Sequence, residues 1–398
     1  MKKIMILGGG EYQLPGIIKA KEMGLQVIVC DYYPDCVGKQ VEGVIGELVS
    51  TYDYDGVLEA AKRHKIDAIL TLCTDYPARV VAYVAENMGL PGISKADAIR
   101  ATDKGKMRQC LLQYNIPSPK FSVVSSKASF VKEIATFNST CVVKAVDNSG
   151  SRGIQLLSYP WKKDEAEKAY NYCQKYSRSG NVVIEEYMEG AEVCVETLNF
   201  GGECYPIQIS AQFPKEPPYF TDVGYYQPAA YDEDMTEKIK KLAINANKAL
   251  NIHTGSSCTE IIVTKDGPKI VEVGPRLAGD YMTSHLVPLS TGVDMVEGVI
   301  KIALGEEPDI NRKFSRGSCI KYYMKQRVGK IKNIRGFEEA MSMEGCALAK
   351  ALKNVGDMAV PLRASTDRIG FVMTEGKDAK EAINRCDAAL NLVEVEVE

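Results

Sequence analysis

Two glutamates in neighbouring apolar runs raise the question of chemistry. Glu260 lies in CTEIIVT and Glu272 in KIVEVGPR, with Asp266-Gly267 as the turn between them. Paired as a hairpin, their carboxylates would face each other on one side of a sheet and repel unless a cation sat between them. Magnesium takes one or two carboxylates together with phosphate oxygens, so the pair is a candidate metal site, with manganese as the chemical alternative. The competing reading is an acidic strand pair facing water, but both runs are otherwise strongly apolar. Arg276, just beyond, carries a fork suited to a phosphate or a carboxylate.

A second group lies upstream. In VVKAVDNSGSRGI, Lys144 sits on a valine-rich strand, where burial costs heavily unless an anion pairs with it. Ser149, Gly150, Ser151 and Gly153 follow, offering hydroxyls and backbone N–H groups with little bulk, the composition of a phosphate-wrapping loop. An edge-strand lysine before a polar hairpin would look the same, and this stretch alone does not choose. In VVIEEYMEGAEVCVE, Glu185, Glu186 and Glu192 cluster about a turn at Gly190. An extended exit from a strand can present backbone groups to an adenine edge, although a solvated acidic strand end is the commoner origin of such a cluster. His285 follows the Glu272–Arg276 segment closely enough to be kept as a candidate, with a structural role as its default.

These residues need elements to position them. Residues 3–92 alternate strand and helix, the pattern of a Rossmann-like parallel sheet with crossover helices. Ser94 is placed to cap a helix over 94–115, and the prolines of NIPSP then end it. Beyond lie hairpin-like strands and helices of α+β texture. The predicted division is an N-terminal domain (1–93), linker helices (94–120), a lid (121–187), a core (188–310) and a C-terminal α+β domain (311–398). The fold class is therefore α/β and α+β, multidomain.

The 398 residues exceed one compact core, and a net charge of −3 without a basic block gives no reason to expect nucleic acid or an anionic membrane as partner. The apolar run at the N-terminus is too short for a secretory signal, and no run approaches a membrane span. Twelve cysteines scattered through apolar strands, with no CxxC, point to reduced thiols and a cytoplasmic setting. The opening GGG falls short of the dinucleotide fingerprint, because Gln13 stands where the third glycine is needed. A tight strand-to-helix turn, beside a small anionic substrate, is the reading kept for it.

The order of these signals resembles the ATP-grasp superfamily, over roughly residues 1–305. It runs from Lys104 in ATDKGKMR, through Lys144 with SGSRG and then EEYMEGAE, to Glu260, Glu272–Arg276 and HLVPLSTGVD. Within the superfamily the likeness is to carbamoyl-phosphate-synthetase-like and amino-acid ligases. The resemblance implies that Lys104 and Lys144 contact ATP phosphates under a lid at 149–153. It also implies that Glu185 and the backbone of Glu186 and Met188 meet adenine, and that Glu192 meets the ribose. Glu260 and Glu272 would hold magnesium, and Arg276 would stabilise the transferred phosphoryl group. The family usually has Asn where this chain has Gly274, which leaves a second magnesium's usual coordination open.

The activity so implied is an ATP- and magnesium-dependent carboxylate–amine ligase, acting on an amino acid or other small carboxylate through an acyl phosphate. A purine-pathway ligase of the phosphoribosylglycinamide-synthetase kind is the alternative, and a non-catalytic nucleotide sensor and an NAD-dependent oxidoreductase are more distant ones. Expected partners are ATP and small molecules. Residues 311–398 carry no chemical signature, which leaves them to complete the site or to form a homodimer surface.

Overall fold

The computed structural model describes residues 1–150, 152–215, 221–325 and 327–398. The strand Lys3–Leu7 carries four consecutive fully buried residues, Ile4 to Leu7, as a strand covered on both faces must. It lies in a parallel sheet ordered Ile45–Leu48, Gln26–Asp31, Lys3–Leu7, Ala68–Thr71. The helix Tyr54–His64 starts where the Asp53 side chain accepts from the Gly56 N–H. The helix Asp75–Met88 follows the last strand and stops at Gly89, whose φ of 65° is left-handed.

The linker forms two helices rather than the one expected over 94–115. Ser94 caps Lys95–Thr102, and Asp103 then breaks the helix by accepting from the Lys106 N–H, which starts Lys104–Gln113. The break places Lys104 in a first turn, where its own N–H reaches the Val146 carbonyl of the lid at 2.8 Å.

The lid is an antiparallel sheet ordered Phe121–Val124, Val182–Glu186, Cys141–Ala145, Ile154–Leu157, covered by the helices Lys127–Ile134 and Lys163–Tyr176. Phe130, Tyr170 and Cys173 fill the space between helices and strands. Each such buried aromatic or aliphatic side chain contributes roughly 1.5–3 kcal/mol.

The core is an eight-stranded sheet ordered Gly267–Gly274, Gly255–Thr264, Ala191–Phe200, Glu203–Gln212, Gly224–Gln227, Gly317–Tyr322, Gly370–Gly376, Cys346–Ala351. Alternation along Ala191–Phe200 divides its two faces. Val193 and Val195 pack with Ile239, Leu242 and Ala243 of the helix Glu233–Ala249. Cys194 turns the other way, toward Met282 and Leu286 of the short helices over 282–291. The strands at Gly317–Tyr322, Gly370–Gly376 and Cys346–Ala351 come from the C-terminal part, so that part is continuous with the core sheet.

Candidate functional site

The hairpin expected at Asp266-Gly267 forms, and it sets Glu260 opposite Glu272 in register, next to a bulge before Ile261. Burial, then Glu272 and Glu192 as like charges, push the Glu260 carboxyl up to about 8 against the pull of Lys215. A divalent cation relieves such a pair, and oxygen donors of this kind fit magnesium.

Lys104 joins two parts of the molecule. Its Nζ donates to the Asn148 carbonyl of the lid loop and to Glu272 Oε1 of the hairpin, both at 2.9 Å. One turn further along, fully buried Arg108 donates through Nε to Glu185 Oε1 at 2.6 Å and forks onto the Ile270 and Val271 carbonyls. Lys144 Nζ meets the other Glu185 oxygen at 2.8 Å. Burial alone would raise the Glu185 carboxyl, but Arg108 and Lys144 outweigh it and hold the group at about 2.

Glu185 is the residue expected at adenine. Its carboxylate is 2% exposed and lies between the two cations Arg108 and Lys144, where it orients Lys144. The Glu186 N–H is likewise engaged, with the Lys120 carbonyl at 2.9 Å, while Met188 lies on the strand exit beyond it. Glu192, expected at a ribose, pairs with Lys215 at 3.0 Å through Oε2. Ser151 lies outside the described residues.

Arg276 turns toward the N-terminal domain, donating through Nε to Asp75 Oδ1 at 2.9 Å. Asp75 begins the helix Asp75–Met88, and its carboxyl is held low, against burial, by Arg276 and Lys104. The same geometry accounts for Gly274. A Cβ there would stand 3.0 Å from Arg276 Cζ and 3.0 Å from Asp75 Oδ1, so a side chain would press on that ion pair.

The lid loop is tied down from both sides. Asp147 accepts from the Arg178 and Ser179 N–H groups, Asn148 donates to the Tyr176 carbonyl, and Gly150 and Gly153 have φ of 66° and 72°. Between loop and N-terminal domain is a small cavity of about 70 Å³, lined by Tyr52, Thr74, Arg79, Asn148, Arg152 and Arg178 among others. The opening GGG behaves as a turn. The Gly9 N–H donates to Asp31 and the Gly10 N–H to Gln13, two of the donors a dinucleotide would need. His285 bonds to Ser284 and packs edge-on to Tyr281, and burial lowers its pKa.

The sequence reading missed Asp75, Arg108, Lys215, Asp222, Asp280 and Arg368. Arg108 had a detectable signal, since it follows Lys104 by one helical turn. Arg368 had none, yet it is fully buried over the Tyr322 ring at 3.6 Å and donates to Asp280 and to the Asp222 carbonyl. The part of the chain without a chemical signature thus reaches the neighbourhood of Arg276.

Residues 137–284, spanning three of the four lid strands and the facing glutamates, match the ATP-grasp domain family. The chain carries an ATP-grasp domain. Such a domain implies binding of ATP with magnesium. Residues 321–398 match the family described as L-amino acid ligase C-terminal domain 2.

Among solved structures, the L-amino acid ligase from Bacillus licheniformis is similar with a TM-score of 0.86 at 23% identity, covering 100% of this chain and 99% of that one. Among curated proteins, the uncharacterized protein y4rH of Sinorhizobium fredii is 27% identical over 84% of this chain and 67% of its own length. The formate-dependent phosphoribosylglycinamide formyltransferase of Vibrio cholerae is 23% identical over 99% and 97%. Phosphoribosylamine–glycine ligases and N5-carboxyaminoimidazole ribonucleotide synthetases recur among the matches. Among the described residues, no helix is long and apolar enough to cross a membrane.

Proposed function

We propose that the protein activates a carboxylate by phosphorylation from ATP and joins it to an amine. The observation that carries this reading is the facing pair Glu260 and Glu272 with Lys104 bonded to Glu272, beside Lys144 of the lid held by Glu185 and Arg276 of the core held by Asp75. A carboxylate is a poor electrophile, and its acyl phosphate has a good leaving group. The carboxylate oxygen attacks the γ-phosphorus and ADP leaves; the amine then attacks the acyl carbon and phosphate leaves. Glu260 and Glu272 would hold magnesium, which when bound neutralises phosphate charge. Lys144, fixed by Glu185, and Lys104 supply fixed positive charge where the transferred phosphoryl passes. Arg276, aimed by Asp75, faces the acyl oxygens. The Ser149, Gly150 and Gly153 backbone wraps phosphate and keeps water from the acyl phosphate.

For the substrates, the named relatives favour the purine-type alternative over a general amino-acid ligase. An amine borne on a ribonucleotide carries a phosphate, and Arg79, Arg152 and Arg178 beside the start of the helix Asp75–Met88 offer it a basic pocket. One observation favours the amino-acid reading: the match of residues 321–398 to the amino-acid ligase domain. In keeping with it, Lys215 and Arg368 near Arg276 are already balanced by Glu192, Asp222 and Asp280, leaving little free charge for a phosphate there.

The test is ADP release by the purified chain with magnesium and ATP, with products identified by mass. Three substrate sets are compared: formate with glycinamide ribonucleotide, glycine with phosphoribosylamine, and pairs of amino acids. ADP is expected only when acid and amine are both present, and Glu272→Ala should lower it about 100-fold or more with an unchanged thermal melt. Arg178→Ala should raise KM only if the true substrate is phosphorylated. Absence of turnover with every acid–amine pair would overturn the ligase reading.

A further inference from the structure

Below the facing glutamates, the core strands bring together three groups of a different chemistry. Cys194 stands in register with Glu260 across the strands Ala191–Phe200 and Gly255–Thr264, and Cys258 lies two residues before Glu260 on the same face. One ligand atom from each, two Sγ and a carboxylate oxygen, lie within 4.8 Å of one another. Both cysteines are nearly or fully buried, at 0% and 3% exposure. Among the described residues this is the one such convergence of three metal-ligating groups.

These thiols differ from the chain's packing cysteines. Cys110 and Cys173 each direct Sγ to a backbone carbonyl, of Ala249 and Val143 respectively, as structural thiols do, and the thiol pair Cys319–Cys386 has no carboxylate to complete a cluster of three. Cys194 instead has Cys258 as its thiol neighbour and accepts from Gln212 Nε2 at 3.4 Å, while Gln212 Oε1 is buried without a partner. Two sulfurs and one oxygen at this spacing are a poor donor set for magnesium, which favours oxygen alone. They suit a tetrahedral, thiophilic ion with its fourth position open to water or substrate.

We propose that Cys194, Cys258 and Glu260 form a binding site for a soft divalent cation of the zinc or cadmium class, and that its occupancy inhibits the enzyme. Binding forms two metal–thiolate bonds and one metal–carboxylate bond, and the protons of the two thiols and of the Glu260 carboxyl pass to solvent. No electron moves. A Glu260 carboxylate drawn to this ion is lost to magnesium and ATP, so the two metals exclude each other through one shared ligand. Binding itself does not depend on the ligase reading; only the inhibition does.

Cadmium alone is titrated into the full purified chain in thiol-free buffer, following thiolate-to-cadmium charge-transfer absorption in the ultraviolet. The wild type is expected to show a component that is missing from Cys194→Ser/Cys258→Ser and retained in Cys204→Ser, a buried cysteine outside the cluster. Either single substitution should weaken that component about tenfold or more, which keeps the test open if the double variant fails to fold. In ADP release, zinc should inhibit the wild type, added magnesium should relieve it, and the cysteine variants should be correspondingly resistant. Identical cadmium titrations of wild type and variants would overturn the site. Unaltered zinc sensitivity in variants that have lost the absorption would overturn the inhibitory role. A chain that turns over no acid–amine pair would sink the ligase proposal while the absorption still judged the site.

Discussion

Glu196 illustrates how a single side chain can carry an ionisation cost in this sheet. It is fully buried, one oxygen accepts from Ser210 Oγ at 2.7 Å, and the other has no partner. Burial pushes its carboxyl up to about 8, from an ordinary value of 4.5. The folded protein therefore holds a proton there that the unfolded chain releases between those values. Stability from this group is complete below pH 4.5 and is lost as pH rises toward 8. Glu196→Gln, which keeps an acceptor for Ser210, should remove that slope. Urea unfolding at pH 5 and at pH 8 should show the variant gaining on wild type by on the order of 3 kcal/mol. Glu260 titrates over the same range in both proteins and cancels in the difference. Parallel pH profiles would mean that Glu196 is solvated or paired after all.

At the scale of elements, local patterns were legible and distant partners were not. The turn at Asp266-Gly267 and its apolar flanks were enough to expect that Glu260 faces Glu272, and the register bears this out. The helix start at Ser94 followed from capping chemistry. The break at Asp103 was hidden because residues 94–115 are all compatible with one helix. The ion pairs of Glu185 were hidden because its partners, Arg108 and Lys144, lie on other elements, and sequence spacing carries no record of that approach. Asp75 and Arg276 were separated in the same way, by two domains.

The lid loop shows what backbone geometry demands. Gly153 has φ of 72°, and a Cβ there would lie 2.6 Å from Tyr176 Cβ and 3.2 Å from Ala145 Cβ. Gly153→Ala should therefore displace the loop from the helix Lys163–Tyr176, costing about 1–3 kcal/mol locally. Faster proteolytic cleavage within 147–153 and a raised KM for ATP are the expected readouts. An unchanged cleavage rate would show that the loop absorbs the methyl group without moving.

At the scale of the whole molecule, the C-terminal part is tied to the core by more than its strands. Tyr12 of the N-terminal domain donates to Asp280, Asp280 pairs with Arg368, and Arg368 donates to the Asp222 carbonyl, whose residue pairs with Lys215. Because the eight-stranded sheet runs unbroken through both parts, they should unfold together. Arg368→Met leaves half-buried Asp280 without its fully buried cation and should cost about 3 kcal/mol. The loss should appear as one cooperative transition moved to lower temperature, since the pair lies inside a shared core. Asp280→Asn in the same chain should recover part of it, because an amide needs no counter-charge, so the double variant should lose less than the sum of the singles. Two resolved calorimetric transitions, with only one displaced by Arg368→Met, would show that residues 311–398 fold as a separate unit and that the arginine serves only that unit. A single displaced transition with additive losses would keep the shared core but make Arg368 and Asp280 independent of each other.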